Sequence, residues 1–298
     1  FNVESDQELE KINDRAKLWG IRAGIGLRVN PDVDPQTHPH ISTGLRENKF
    51  GIDVEGSLAA YRRASKLKHL EIKGVSCHIG SQVTKLSPFI DALGRLKELV
   101  GRLREEGIAI RYLDLGGGLG ITYDQEMPPP PVEYARAIID ASRDMDCAFI
   151  FEPGRVIVGN AGILIARVLY TKENKGKKFI IVDAGMNDLI RPSLYGSFQH
   201  IQPVFRRERE EITADVVGPI CESGDFLAKG RRMPAMGRDE LIAVMSAGAY
   251  GFTMSSNYNS RPRIPEILVR EDRYYVIRNR ESYEDLIHGE AIPEFMDR

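Results

Sequence analysis

A handful of short strings bring together residue types that can do chemistry. LDLGGGLG (Leu113 to Gly120) sets three consecutive glycines, Gly116, Gly117 and Gly118, right after an apolar run. Lacking a Cβ, such a turn lets backbone amides approach an anion closely, and successive N–H groups form a nest for phosphate. Taken alone it reads equally as a plain flexible turn, and it lacks the Lys-Ser/Thr of a nucleotide-hydrolysing loop. FEPGR (Phe151 to Arg155) ends the next apolar run: Glu152 is a carboxylate fixed by Pro153, and Gly154 with Arg155 makes a second anion-binding element. HIGSQ (His78 to Gln82) adds an imidazole and the hydroxyl of Ser81, although a solitary strand-end histidine more often serves structure. CESGD (Cys221 to Asp225) places a thiol beside two carboxylates. Nearby acids raise a thiol's pKa, which suits a proton donor better than a nucleophile or metal ligand; an inert buried thiol is the alternative. Arg191 and Tyr195 offer a guanidinium and a phenol to a carboxylate, or else form a surface ion pair. Tyr250 stands between small residues in AGAYGF, placed to hydrogen-bond phosphate or to pack at a domain interface. His38 and His40 form an H-x-H pair, but no carboxylate or cysteine cluster accompanies them, so no metal site is expected.

These groups need a scaffold that brings strand ends together. Up to about residue 156 the chain repeats a short apolar run, a glycine or polar turn and an amphipathic stretch. The clearest helix spans Ser87 to Glu106, with Phe89, Leu93, Leu96, Leu99, Val100 and Leu103 on one face and Gly107 as its stop. Strands are predicted at Phe1 to Glu4, Gly24 to Val29, Gly74 to His78, Tyr112 to Leu115 and Phe149 to Phe151. This βα alternation leaves an open doubly wound sheet or a closed (β/α)8 barrel. Polar or reactive groups follow every one of the strands, a barrel habit, whereas a doubly wound sheet gathers its ligand at one switch point. Five strands do not close a barrel, so the expectation is that about five βα units are its later part and that roughly 90 residues precede Phe1. Beyond about residue 157 short β-like runs dominate, with Asn174 to Gly176 as a hairpin turn. The predicted organisation is a barrel portion at 1–156 and a β-rich domain at 157–298.

Composition narrows the partners. In 298 residues, 41 Lys+Arg oppose 43 Asp+Glu, a net charge of −2 that offers no field for nucleic acid or an anionic membrane. No apolar run approaches the roughly 18 residues that span a bilayer. Three scattered cysteines favour a reducing compartment, and the expected location is the cytoplasm.

FNVES, GLRVNP, ENKFGI, CHIGSQ, LDLGGGLG, FEPGR, DAGMNDLIRPSLYG, CESGDF and AGAYGF, in this order across the whole chain, resemble the diaminopimelate decarboxylase family of alanine-racemase-like pyridoxal phosphate enzymes. The resemblance implies a (β/α)8 barrel followed by a β domain, a homodimer with shared active sites, and decarboxylation of meso-2,6-diaminopimelate, an amino-acid substrate, to L-lysine. It places Ser81, Gly116, Gly117, Gly118, Gly154, Arg155 and Tyr250 around the cofactor phosphate. Glu152 falls at the pyridine nitrogen and His78 on the ring face. Arg155, Arg191, Tyr195 and Tyr250 fall on the substrate, with Glu222 at its distal ammonium and Cys221, reaching from the partner subunit, as the proton donor. The family's Schiff-base lysine lies in a first-strand motif like Y-A-x-K-A-N, which is absent here, and neither Lys49 nor Lys73 sits in that context. That lysine is expected in the segment preceding Phe1. The rival readings are a related basic amino-acid or carboxynorspermidine-type decarboxylase and, without that lysine, a catalytically dead pyridoxal phosphate-binding protein.

Overall fold

Apolar runs followed by amphipathic stretches fold as parallel strands with helices packed against them. The computed structural model describes residues 1–34 and 49–296, so the His38/His40 pair lies outside the described residues. The chain divides into two compact units, Phe1–Val158 and Gly159–Arg298. The first runs β1 (Asn2–Val3), α1 (Asp6–Leu18), β2 (Ala23–Asn30), β3 (Ile52–Asp53), α2 (Val54–Ala64), β4 (Leu70–Ser76), α3 (Ser87–Glu105), β5 (Tyr112–Asp114), α4 (Pro131–Ala141), β6 (Ala148–Ile150) and the short α5 (Arg155–Val158). Helix starts follow local chemistry: the Ser5 hydroxyl accepts from Glu8 N–H, and the Asp53 carboxylate accepts from Gly56 N–H. Pro131 opens α4, so Pro128 to Pro130 lead into a helix rather than linking domains.

The strands pair in parallel in the order β1-β2-β4-β5-β6, with β3 joined to the end of β2. That order never reverses, so the sheet has none of the switch points of a doubly wound fold. A single hydrogen bond shows that it is also curled. Asn2 Nδ2 on β1 donates to Asp114 Oδ2 on β5 over 2.9 Å. In a flat sheet, three strand spacings of about 4.8 Å would hold these backbones about 14 Å apart, too far for an Asn and an Asp side chain to meet. The curl therefore brings the ends of non-adjacent strands together on its concave side, as in a barrel wall.

The predicted apolar face of α3 is the buried one, with Phe89, Leu93, Leu96, Leu99, Val100 and Leu103 all in the core. They share a cluster with Ile25, Leu27, Val75 and Leu113 of the strands. Tyr61 of α2 is fully buried, and its hydroxyl donates to Gly74 O (2.8 Å) and accepts from Leu27 N–H (3.3 Å), fastening α2 across β2 and β4.

The second unit contains β7 (Leu164–Asn174), β8 (Lys177–Val182), α6 (Arg191–Tyr195), β9 (Ile201–Pro203), β10 (Glu211–Val217), β11 (Phe226–Pro234), β12 (Leu241–Val244), β13 (Glu266–Arg270) and β14 (Arg273–Arg278). Six strands form one sheet, β11-β10-β8-β7-β12-β9, and β13 pairs with β14 alone. The β7–β8 hairpin turns at Lys175 and Gly176, both at positive φ, as a two-residue primed turn requires. Strands β9 and β11 were not expected: β9 is only three residues long, and Lys229, Gly230, Arg231 and Arg232 make β11 read as a charged loop. Among the described residues no helix is long and apolar enough to cross a membrane.

Tyr61→Phe removes the hydroxyl from two buried backbone groups and is expected to lower unfolding free energy by about 1–3 kcal/mol. Urea denaturation checks this through a lower midpoint at unchanged slope.

Candidate active site

In the first unit the site grows from three neighbouring strand ends. The glycines after β5 do not act chiefly as a nest of free amides. Gly116 N–H donates to Asp114 Oδ1 (2.9 Å) and Gly117 N–H to His78 Nδ1 (3.2 Å). Their function in the fold is close approach. A Cβ on Gly116 would lie 2.5 Å from Cys77 O, one on Gly117 2.3 Å from Glu152 O, and one on Gly118 2.2 Å from Gly80 O. No other residue type fits at these three positions, so the glycine run clamps the loop after β4 and the loop after β6 against itself.

Around this clamp the chemistry is graded. At one end Arg155, only 5% exposed, donates from Nη2 to Ser81 Oγ (3.0 Å) and from Nη1 to the Tyr123 hydroxyl. A cation and two hydroxyls from three different strand-end loops thus converge. At the other end Asp114, 6% exposed, accepts from Asn2 and Gly116 and lies beside Glu152. Partial burial, the Asp114 negative charge and a hydrogen bond to Asp114 together push the Glu152 carboxyl up, with Arg28 opposing. Arg28 is itself held by Glu4 at 2.7 Å. Burial and the Arg28 charge hold the His78 imidazole below its ordinary value, against the pull of Asp114. The ring is therefore neutral near pH 7 and, because Nδ1 accepts from Gly117, carries its proton on Nε2.

In the second unit the geometry gathers Arg191, Tyr195 and Tyr250. Arg191 opens α6 and, at 5% exposed, is buried rather than on the surface: its guanidinium carbon lies 5.6 Å from the Tyr195 ring centroid and 5.9 Å from that of Tyr250. Tyr250 is 40% exposed and holds φ at +58°, a conformation costly for a bulky residue and concentrated at functional sites. Cys221 is exposed rather than buried. Its two acids are directed elsewhere: Asp225 accepts backbone N–H groups, while Glu222 accepts from Gly224 N–H (3.2 Å) and from the Tyr258 hydroxyl (3.3 Å). The other cysteines do not compete for a chemical role. Cys147 is half-buried, and burial followed by the Asp114 charge pushes the Cys77 thiol up to about 12.

Sequence reading assigns no role in the site to Asp114, Asn2, Tyr123 or Tyr258, and marks Arg28 only as a polar strand-end group. Asp114 stands inside the LDLGGGLG string, but its partner Asn2 is 112 residues away. Lys73 lies over Gly24 with its Nζ 3.5 Å from Glu71, and Lys49 Nζ is 5.0 Å from the Phe50 ring centroid. Among the described residues no cluster of His, Cys, Asp and Glu could hold a metal.

The first unit fits pyridoxal phosphate by its donor set. Arg155 and Ser81 match a dianionic phosphate, the acid Glu152 matches a basic ring nitrogen, and the neutral imidazole of His78 matches a planar face.

Because the Glu152 carboxyl is held up in the folded chain, its contribution to stability is present below the ordinary carboxylate range and lost as pH rises through the raised value. Asp114→Asn removes the neighbouring charge and is expected to move the Glu152 titration down and to flatten that pH dependence. Carboxyl-carbon NMR of the Asp114→Asn protein, set against Glu152→Gln for assignment, checks the direction.

The pyridoxal-dependent decarboxylase, pyridoxal binding domain matches residues 1–159. The diaminopimelate decarboxylase of Pseudomonas aeruginosa is 54% identical over 292 residues, 98% of this chain and 70% of that protein. The crystal structure of diaminopimelate decarboxylase from Helicobacter pylori complexed with L-lysine superposes with a TM-score of 0.91 at 44% identity, covering 96% of this chain and 72% of that one. The M. jannaschii enzyme in complex with L-lysine gives a TM-score of 0.91 at 39% identity, covering 99% and 70%. With this order of parallel strands, this glycine clamp and this degree of identity, the chain belongs to the diaminopimelate decarboxylase family of pyridoxal-dependent enzymes, whose fold is a barrel followed by a β domain.

Proposed function

We propose that the chain carries the cofactor and substrate groups of an enzyme that decarboxylates meso-2,6-diaminopimelate to L-lysine and CO2. The observations that carry the reading are two groups the second unit presents: a buried guanidinium, Arg191, near the Tyr195 and Tyr250 rings, and an accessible carboxylate, Glu222. A substrate whose far end bears both a carboxylate and an ammonium satisfies both. A simple basic amino acid has an ammonium alone at that end and offers no carboxylate to Arg191.

When bound, pyridoxal phosphate supplies an electron sink for the pair left behind as CO2 departs. In this reading Arg155 and Ser81, with Gly154 and Tyr250, hold the phosphate, and the glycine clamp of Gly116, Gly117 and Gly118 shapes the wall beside it. Glu152 would hold a proton at the ring nitrogen, and a positive charge there would offset the proximity of Glu152 to Asp114. His78, neutral, packs on the ring without adding a competing positive charge. Arg191 and Tyr195 orient the distal carboxylate, Arg155 and Tyr250 border the substrate, and Glu222 receives the distal ammonium. Cys221 Sγ holds the proton delivered to the substrate carbon. Its exposure suits a group that acts in the site of a second copy, so the assembly is proposed to be a homodimer with shared sites.

The intact gene product is expected to absorb in the visible, to be trapped by borohydride, and to release CO2 from meso-diaminopimelate in preference to L-lysine or L-ornithine. Preference for ornithine defeats the assignment. Cys221→Ala is expected to keep the cofactor absorbance while turnover falls about 10²–10⁴-fold, the range of a lost general acid. Glu152→Gln should depress turnover far more than cofactor retention, because the phosphate contacts remain; equilibrium dialysis of the cofactor separates the two effects.

A further inference from the structure

One buried acid in the second unit has no part in the chemistry proposed above, yet it touches both loops that carry that chemistry. Asp225 is 4% exposed at the start of β11. Its Oδ1 accepts from Met186 N–H at 2.6 Å, in the loop that leads from β8 to Arg191. Its Oδ2 accepts from Ile220 N–H at 2.7 Å, in the loop that carries Cys221 and Glu222. One carboxylate therefore bridges two backbones 34 residues apart along the chain.

The contact leaves no slack. A Cβ on Gly218 would stand 2.4 Å from Asp225 Oδ2 and 2.6 Å from the Cα of Gly185, and one on Gly185 would stand 3.0 Å from Asp225 Oδ1. The two loops thus meet glycine to glycine, with the carboxylate filling the space beside them. The backbone of Asp225 closes its own loop as well, donating to Glu222 O at 3.0 Å. A separate fastener runs parallel to it: Ser193, in α6 between Arg191 and Tyr195, donates its hydroxyl to Gly224 O.

We infer that Asp225 is a positioning residue: by tying the Arg191/Tyr195 loop of one site to the Cys221/Glu222 loop that serves a second copy's site, it fixes where each loop stands and so how well the shared pockets grip the distal group. This rests on the function proposed above. An aspartate is suited to the task because both of its oxygens accept, and charged acceptors hold N–H groups more tightly than neutral ones. An asparagine has the same shape but one acceptor. Its NH2 group would face a backbone N–H, and one of the two loops would be released.

The test compares wild-type, Asp225→Asn and Ser193→Ala forms of the intact gene product. Backbone hydrogen exchange of peptides spanning Met186 and Ile220 reads the tie directly, and steady-state kinetics with meso-diaminopimelate reads its consequence. For Asp225→Asn, protection is expected to fall at one of these amides, KM to rise about tenfold or more, and kcat to fall by a smaller factor. The cofactor absorbance is expected to be retained. Discrimination between meso-diaminopimelate and L-lysine should narrow in parallel. Ser193→Ala should move KM in the same direction by a smaller factor. Unchanged KM and discrimination in Asp225→Asn, or equal losses of cofactor, kcat and kcat/KM that mark general misfolding while Ser193→Ala is unaffected, overturn the inference. Absence of turnover in the wild type overturns the functional reading itself. Unaltered protection in Asp225→Asn overturns the tie whatever the substrate proves to be.

Discussion

Everything in the first unit depends on backbone meeting backbone at the strand ends. The amide-rich segments after β4, β5 and β6 approach so closely that at Gly116, Gly117 and Gly118 a single carbon would collide with a carbonyl oxygen of a neighbouring loop. Close approach of this kind is short-ranged and unforgiving, since protein interiors have little free volume to absorb an added methyl. What it provides is fixed spacing. His78 hangs from the first loop, Asp114 precedes the second and Glu152 begins the third, so their separations follow from the glycine contacts rather than from side-chain flexibility. The curl of the sheet, recorded by the Asn2 to Asp114 bond, is the condition for that meeting.

On that frame the electrostatics is poised rather than satisfied. Glu152 and Asp114 place two acids together, opposed by Arg28, whose guanidinium is shared with Glu4. A carboxyl held up in this way gains from a positive group brought beside it, which is what a protonated ring nitrogen supplies. The same Arg28 charge helps keep His78 neutral. One arginine on β2 therefore acts on both the acid and the imidazole, favouring the charged form of the first and the uncharged form of the second.

The sequence disclosed those parts of this arrangement that are local. Period-3.6 spacing gave α3 within a residue of its end, and apolar runs gave β1, β2, β4, β5 and β6; in β2 burial on both faces accounts for that composition, whereas the apolar side chains of β6 are largely exposed. It did not disclose β11, where Lys229, Arg231 and Arg232 line a strand at the edge of its sheet and so need little burial. Glycine strings pointed to this place in the fold, but not that the Gly116 and Gly117 amides are held by Asp114 and His78. Which oxygen sits 2.3 Å from an absent Cβ depends on two other loops. Asp114 was invisible for the same reason: its meaning lies in a partner at the far end of the unit. The acids of CESGD were read as neighbours of the thiol, but a sequence neighbour is not a spatial partner, and Asp225 turns toward two backbones instead.

Three acids share one device. Asp114 accepts from Gly116 N–H, Asp188 from Gly185 N–H and Asp225 from Met186 and Ile220 N–H, and all three are buried. Each stands within a few residues of a group assigned to the chemistry. Loops that carry reactive side chains need backbone polar groups satisfied without the ladder of a sheet, and they need to stay in one conformation while ligands come and go. A short acid meets both needs. Its negative charge strengthens the bonds it accepts, and its length leaves no freedom; a glutamate would displace the carboxylate by about 1.5 Å and force the glycines apart. Burial pushes the Asp188 carboxyl up while the Gly185 N–H and the nearby Arg261 hold it down. At Asp188, therefore, the order of the loop and the ionisation of the carboxyl are linked.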